Sequence, residues 1–383
     1  MKKKLRNSLA IALALVMVLA LAACGGGNAP APAPAPAPSP APSTSGTTTP
    51  GTPDSTPAGG LTQTRTSVLT IDFAHANAAT HNMHIDAVMP FAEAFMEATE
   101  GMINVIVHPG ATVVSPGNMW DDVTFGAVDI AYGTVSYSPG RFPLTEVLEL
   151  PMTFASGRQA TQVVWDLLEN NEAFLKQFDD FKIFAMWSTP GAQLWAKNTP
   201  IRLPSDIQGL IIRVPSAIAE RSIQAAGGST INIPMQEAYD AIDRGVADGL
   251  ALDFSGMSSF NMDEVINYGI GNMNQYISFH MMAMSWDCWN SLNEFEQEAL
   301  MRVGGRNLST KANESFESDA DISEKRIRDG NLIELVELTA EDRAQWQAAF
   351  SNVVSEYLDS VNNRGFDATG VYEDALKYRD ARS

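Results

Sequence analysis

Between Val68 and Tyr132 the chain alternates between two hydrophobic periods, and this alternation limits the fold more than any other feature. Val68–Ala74 (VLTIDFA) and Ile103–Val107 (INVIV) are short runs rich in β-branched residues, as strands are. Between them, Ile85, Val88, Met89, Ala92, Phe95 and Met96 recur every three or four residues, which predicts a helix over Asn82–Thr99. Pro90 falls inside that stretch and argues against an unbroken helix, because proline lacks an amide and crowds the preceding turn. A helix at Met119–Phe125 and a strand at Val128–Tyr132 complete a β-α-β-α-β order. Strands joined through helices run parallel, so the expectation is an α/β protein with a mainly parallel sheet.

The remainder reads in the same way. Ser156 caps a helix running through Leu168. Strands follow at Lys182–Trp187, Gln193–Ala196 and Leu210–Val214. Helices at Ala217–Ala226 and Met235–Arg244 stop at Gly227-Gly228 and at Gly245. Tyr276–Trp286 is strand-like. A long helical pattern runs from Leu292 to about Arg328, with Ser291 and Glu294 as a capping box and Gly304-Gly305 as a point of kinking or division. Thr339–Asp342 opens a final helix. No tandem repeat of fixed period is present.

The N-terminus reads as an address. Lys2, Lys3, Lys4 and Arg6 precede the apolar run Leu9–Ala23. At ~1.5 Å per residue that run spans about 22 Å, short of the ~30 Å hydrocarbon core. It therefore fits the apolar region of a signal peptide better than a membrane span. Leu21-Ala22-Ala23-Cys24-Gly25 resembles a bacterial lipobox. Residues 1–23 then form a lipoprotein signal peptide and Cys24 carries the lipid; the alternative is an uncleaved anchor that ends at a cysteine. Residues 24–65 are a Pro/Ala-rich linker; in its low-complexity part, Asn28–Gly60, Pro-Ala alternation favours extended polyproline II, and some thirty residues at ~3.1 Å each reach roughly 100 Å at most. Residues 66–383 are the folded body.

The whole chain has a net charge of −20. Removing residues 1–23 leaves 21 basic against 45 acidic side chains, a net −24. Nucleic acid is excluded as a partner, since phosphate binding needs a basic footprint. Cys24 and Cys288 are the two cysteines, too few for a disulfide framework or a thiolate zinc site, and Cys288 reads as a small buried side chain. No nucleophile elbow, zinc-protease motif, phosphate loop or dinucleotide fingerprint is present. His81 and His84 are three apart, without further ligands at metal spacing, and read as capping or surface residues. No metal and no cofactor is expected. Asp121-Asp122 and Glu146/Glu149 read as solvated faces rather than acid–base pairs, so an enzyme is the minority reading. His75 ends the first strand, where ligand loops begin in α/β sheets.

Arg213 stands apart, lying inside the apolar strand Leu210–Val214. A buried guanidinium is costly unless paired, and its planar fork suits a carboxylate. Two readings stay open: an internal salt bridge with one of the many acids, or a pocket for an external anion.

Around Arg213 the sequence resembles a known family. Pro200–Pro215 (PIRLPSDIQGLIIRVP) is similar to the P-I-x-x-x-x-D-L-x-G-x-K-I-R-V-P segment of TRAP-transporter solute-binding proteins, the DctP family. Ile233–Gly249 (IPMQEAYDAIDRGVADG) resembles that family's P-M-x-x-x-x-Y-x-A-L-x-x-G-V-V-D-G, and Gly126–Ala131 and Gly140–Pro151 resemble shorter family segments. The likeness runs from Val68 to at least Arg306. It implies a two-lobed, type II periplasmic-binding-protein-like α/β fold with hinge strands and a long lobe-spanning helix at Leu292–Arg328. Lobe 1 would be about 66–188 plus part of 275–383, and lobe 2 about 189–274 plus part of the C-terminal helices.

The resemblance also implies a role. Arg213 would pair with a substrate carboxylate, and the partners would be the small and large membrane subunits of a TRAP importer. The protein would be tethered through Cys24 at the outer face of the bacterial cytoplasmic membrane. Rival readings are a binding lipoprotein for another importer or a sensor, a lipid-anchored enzyme, and a surface adhesin. Two departures from the family shape the ligand expected. Trp187–Gln193 lacks the arginine many members carry there, and Asp248–Phe254 (DGLALDF) replaces D-G-Q-E-N-P. Polar contacts become apolar, which predicts a small monocarboxylate with an apolar or aromatic body. After Arg213, the binding candidates are Gln193, Thr134, Tyr132, Phe254 and His75, with Trp195 beside Gln193.

Overall fold

The computed structural model describes residues 61–382. The expected signal peptide, Cys24 and the expected linker up to residue 60 lie outside the described residues.

Eleven strands form two sheets among the described residues: β1 Leu69–His75, β2 Ile103–His108, β3 Ile130–Thr134, β4 Phe181–Ser188, β5 Gln193–Ala196, β6 Ile211–Val214, β7 Ser229–Asn232, β8 Gly249–Leu252, β9 Tyr268–Ile270, β10 Phe279–Ser285 and β11 Glu334–Val336. The first sheet has the order β2-β1-β3-β10-β4, the second β11-β9-β5-β8-β6-β7. β1 pairs in parallel with β2 and β3, as helical crossovers require. The sheets as a whole are mixed, which corrects the mainly parallel expectation. β10 is antiparallel to β3 and β4, and β5 is antiparallel to β8 and β9. These are the strands by which the chain passes between sheets, entering without a crossover helix. Each sheet carries apolar clusters around it: Phe73, Phe91 and Phe184 in one and Trp120, Phe142 and Met281 in another for the first sheet, with Ile212, Leu194 and Trp346, and then Trp195, Leu250 and Met257, for the second.

Two segments cross between the lobes side by side. The Thr189 amide donates to Ser278 O (2.9 Å), Ala192 to Tyr276 O (2.8 Å) and Gln275 to Ala192 O (2.8 Å). Residues 276–278 are therefore a crossing segment, and the strand expected from Tyr276 begins only at Phe279. Its last residue, Ser285, caps a short helix, Trp286–Ser291, by accepting from the Cys288 amide (3.1 Å). Cys288 is buried.

The helix expected over Asn82–Thr99 is a π turn, His84–Val88, followed by an α-helix, Met89–Ala98. Pro90 thus stands in the first turn of the α-helix, where a missing amide costs least. The long C-terminal pattern divides at Gly304 into Glu294–Val303 and Gly305–Gly330. A Cβ on Gly304 would lie 2.8 Å from Phe184 O and 2.9 Å from Leu300 O, so β4 passes too close for any other residue. The capping box is Asn293 with Glu296, two residues beyond the expected pair: Glu296 N donates to Asn293 Oδ1 and Asn293 N to Glu296 Oε2, both at 3.0 Å.

Helix Gly305–Gly330 packs on β4 of the first lobe and on helix Phe254–Ser259 of the second. Helix Ala340–Asn362, opened by a Thr339/Asp342 capping box, packs on helix Ala217–Ala225 of the second lobe. It is not the last helix: Ala368–Asp380 returns the chain to helix Gly157–Asn170 of the first.

The folded body begins slightly before residue 66. Arg65 binds the carboxylate of Glu296 through Nε and Nη2, both at 2.7 Å, and donates to Ser291 O. Gln63 bridges Thr99 O (3.2 Å) and Asn293 Nδ2 (2.9 Å). Burial alone would raise the Glu296 pKa; the bonds from Arg65, Asn293 and Gln63 outweigh it and hold the carboxyl below its ordinary value. Arg65→Met leaves that buried carboxylate short of donors. Urea unfolding of the variant is expected to show a loss of about 1–3 kcal/mol. An unchanged midpoint would mean that residues 61–65 belong to the linker alone.

Candidate functional site

The chain ends of the parallel strands converge between the two sheets. Asn77 follows β1, Thr134 ends β3, Arg213 and Pro215 end β6, Met235 follows β7, and Leu252 and Asp253 end β8. Ligands bind at the carboxyl ends of strands in open α/β sheets, and here a cleft of about 630 Å³, mouth included, occupies that position. Thr189, Ala192, Tyr276 and Ser278 of the crossing segments form its floor, and Phe316 of helix Gly305–Gly330 contributes a wall.

Arg213 is 1% exposed and lines this cleft. β6 is an interior strand, paired with β7 at Ile231 and with β8 at Leu250, which fixes the arginine's position. Nε donates to Ile233 O (2.8 Å) and Nη2 to the Tyr137 hydroxyl (3.4 Å). Among the described residues no carboxylate forms an ion pair with it. Of the two readings the sequence left open, the internal salt bridge is therefore absent among these residues. Tyr137 also accepts from the Met235 amide (2.9 Å), so its own proton is left for another acceptor. These contacts join first-lobe Tyr137 to the second lobe, and Gln236 Nε2 donates to Asn77 Oδ1 (3.0 Å) at the rim. The lobes touch across the mouth.

The rest of the lining mixes aromatic rings with small polar and aliphatic side chains, and Asp253 is its one acidic residue. His81 stacks edge-on to Phe260 (5.3 Å between centroids), and His280 lies 5.3 Å from Phe316. Burial pushes His81 down to about 4 and His280 to about 3, so both are neutral at physiological pH. The Met83 amide donates to His81 Nδ1 (3.1 Å), which places the imidazole proton on Nε2. His81 keeps the capping role expected of it, through the Met83 amide at the start of the helical run, but it is not a surface residue, because Phe260 of the other lobe covers the ring.

The remaining candidates separate clearly. Thr134 lines the cleft. Tyr132 packs in a three-ring cluster with Trp187 (5.3 Å) and His280 (5.8 Å), which also touch each other (6.3 Å), and borders only a small adjoining hollow; its hydroxyl lies 3.2 Å from His280 Nδ1 and so orients a lining residue. Gln193 spends its amide on Gly191 O, Asn274 and the Met273 amide, holding the turn beside the crossing segment. Phe254 packs edge-on to Trp195, whose Nε1 donates to Leu252 O, and both are core. His75 is fully buried, 3.0 Å from His84 Nδ1, away from the cleft. No group of three or more His, Cys, Asp or Glu among the described residues is placed to hold a metal ion.

DctP, bacterial extracellular solute-binding protein, family 7, matches residues 73–360. The chain belongs to this family. The C4-dicarboxylate-binding periplasmic protein DctP of Rhodobacter capsulatus is 24% identical over 275 residues, 71% of this chain and 81% of the relative. Among solved structures, a marine-metagenome TRAP solute-binding protein specific for aromatic acid ligands, in complex with 3-hydroxybenzoate, is 22% identical with a TM-score of 0.78, covering 82% of this chain and 99% of its own. A TRAP periplasmic protein from Bordetella bronchiseptica with bound mandelate is 24% identical with a TM-score of 0.76, covering 82% and 100%. The two-lobed α/β fold is shared throughout.

One feature of this DctP-family chain runs against the sequence reading. Glu146 and Glu149 are not on a solvated face: both are buried, at 3% and 0% exposure. Glu146 accepts from the Gly140 amide (2.8 Å) and from the Tyr357 hydroxyl. Glu149 lies at the seam between lobes, near Ser216, which caps helix Ala217–Ala225 directly after cleft residue Pro215. The Ser216 and Ser136 hydroxyls and the Phe279 amide approach it, but neither carboxyl oxygen has a hydrogen bond of good geometry. Burial, reinforced by neighbouring Glu146, pushes Glu149 up to about 8. The folded state therefore keeps a proton that the unfolded chain gives up near 4.5. Stability from this group falls as pH rises from about 4.5 to about 8 and is level above that. Glu149→Gln, which mimics the protonated form, is expected to raise the melting temperature increasingly across this window. A difference between variant and parent that does not change with pH would contradict the buried acid.

Proposed function

We propose that this receptor captures a small aromatic monocarboxylate and hands it to the membrane subunits of a TRAP-type importer. The observation that carries the reading is the buried Arg213 guanidinium, open to the cleft and without an acidic partner among the described residues. One planar carboxylate satisfies its free edge, with the Tyr137 hydroxyl as a further donor. Phe260, Phe316 and Tyr276 with the two neutral imidazoles form walls suited to a flat ring. Among the described residues Arg213 is the one arginine of the lining, which argues against a dicarboxylate. Relatives of the same fold bound to 3-hydroxybenzoate, mandelate and benzoate support this ligand class.

Capture proceeds by closure. The Arg213–Tyr137 and Met235–Tyr137 contacts exist only when the lobes meet, and a ligand touching both lobes favours that state by its differential affinity.

Arg213→Met should leave the fold intact and weaken binding of benzoate, mandelate or 3-hydroxybenzoate more than ~100-fold, as follows from a loss of about 3–5 kcal/mol for a broken buried pair. Near-parental affinity by calorimetry would refute the carboxylate role.

Tethering through lipid on Cys24 completes the proposal and keeps the receptor beside its importer. Cys24→Ser is expected to move the protein from the membrane fraction to the soluble one. Retention of that variant in the membrane would exclude the lipid anchor.

A further inference from the structure

The departure from the family pattern after β8 places a carboxyl in the ligand's space. Asp253 is 6% exposed and lines the same cleft as Arg213, yet the two form no ion pair. Its Oδ1 is fully engaged, accepting from the Ser255 amide (2.9 Å), the Gly256 amide (3.3 Å) and the Ser255 hydroxyl. Its Oδ2 has no hydrogen-bond donor among the described residues. The nearby phenol of Tyr276 lies in the field of both Arg213 and Asp253, but its proton is given to Ala251 O (3.2 Å).

A cleft that takes an anion gains nothing from an uncompensated carboxylate, and burying one without a partner is costly. Held by three donors on one oxygen, the carboxyl is fixed in orientation while the other oxygen is left over. Resting on the carboxylate reading above, we infer that Asp253 Oδ2 accepts a hydrogen bond from a hydroxyl or ammonium on the body of the acid held by Arg213. Asp253 thereby selects hydroxylated or aminated aromatic acids over unsubstituted ones. Arg213 and Asp253 act as two poles, one donating and one accepting, and the ligand bridges them in place of a direct contact between them.

The test is calorimetric titration of the purified protein with benzoate, the three hydroxybenzoates, phenylacetate and phenylalanine. At least one donor-bearing acid is expected to bind tenfold or more tightly than its unsubstituted counterpart, as a hydrogen bond to a charged group implies. The hydroxybenzoates and phenylalanine distinguish a hydroxyl from an ammonium donor. In Asp253→Asn the amide oxygen keeps the helix cap, because asparagine caps as well as aspartate, and the NH₂ group cannot accept. The preference should then shrink toward unity while the melting temperature is kept. Binding of carboxylates without any preference for donors overturns the inference alone, as does a preference that survives in Asp253→Asn. Failure of every carboxylate to bind the parent protein overturns the underlying reading and the inference with it.

Discussion

A buried cation without a counter-ion among the described residues sets the terms for the rest of the molecule. Arg213 is fixed by an interior strand and by Ile233 O, and its remaining donors face a cleft. A guanidinium in that position is tolerated only if something outside the fold completes it, because desolvating an ion costs several kcal/mol. The sheet therefore holds an incomplete charge pair, and the missing half is an anion from solution. Tyr137 extends the same logic across the cleft. It accepts from Arg213 and from the Met235 amide, so its proton points to the same missing acceptor.

The local field differs from the global one. The chain carries −20 overall, which repels anions at long range. Salt screens that repulsion beyond ~8–10 Å, so the immediate surroundings of the cleft decide. There, burial strips His81 and His280 of charge and leaves Arg213 as the cation among the residues lining the cleft. Neutral imidazoles present flat apolar faces and one directed polar edge. They shape a ring site without adding a second carboxylate anchor.

The parts of the fold set by local period were legible in the sequence. β1, β2 and β6 sit within a residue or two of the expected places, since β-branched runs of that length have few alternatives. Arg213 was legible for a related reason: a lone charge inside an apolar strand demands an explanation. The wall was not legible, because it is made by distant pairs. Tyr132 looks like a strand-end contact until Trp187, and His280 148 residues away, are seen to cluster with it. Gln193 looks free until Asn274 and Met273 claim its amide. His81 was set aside because it lacked metal-ligand spacing, yet metal binding is one of several uses for a buried imidazole. Glu149 shows the same limit. Charge pattern along the chain says nothing about a carboxyl later enclosed by Ser216 and Phe279 from other elements.

Closure is built into the connections as well as the cleft. Two crossing segments bonded to one another form a narrow hinge, while helix Gly305–Gly330 touches both lobes and the C-terminal helices return from the second lobe to the first. Four passages between lobes limit the motion to a swing rather than a separation. Glu149 and Tyr276 sit along that seam. Burial raises both, with the Arg213 charge opposing the shift at Tyr276, so both stay protonated at neutral pH. Neither then competes with an incoming carboxylate for the arginine. The seam is thus kept neutral at the point where the ligand's charge must enter. Burial also raises Asp253, against the bonds from Ser255 and Gly256, so a bound molecule has to match one charge, on Arg213, and one hydrogen-bonding carboxyl, on Asp253.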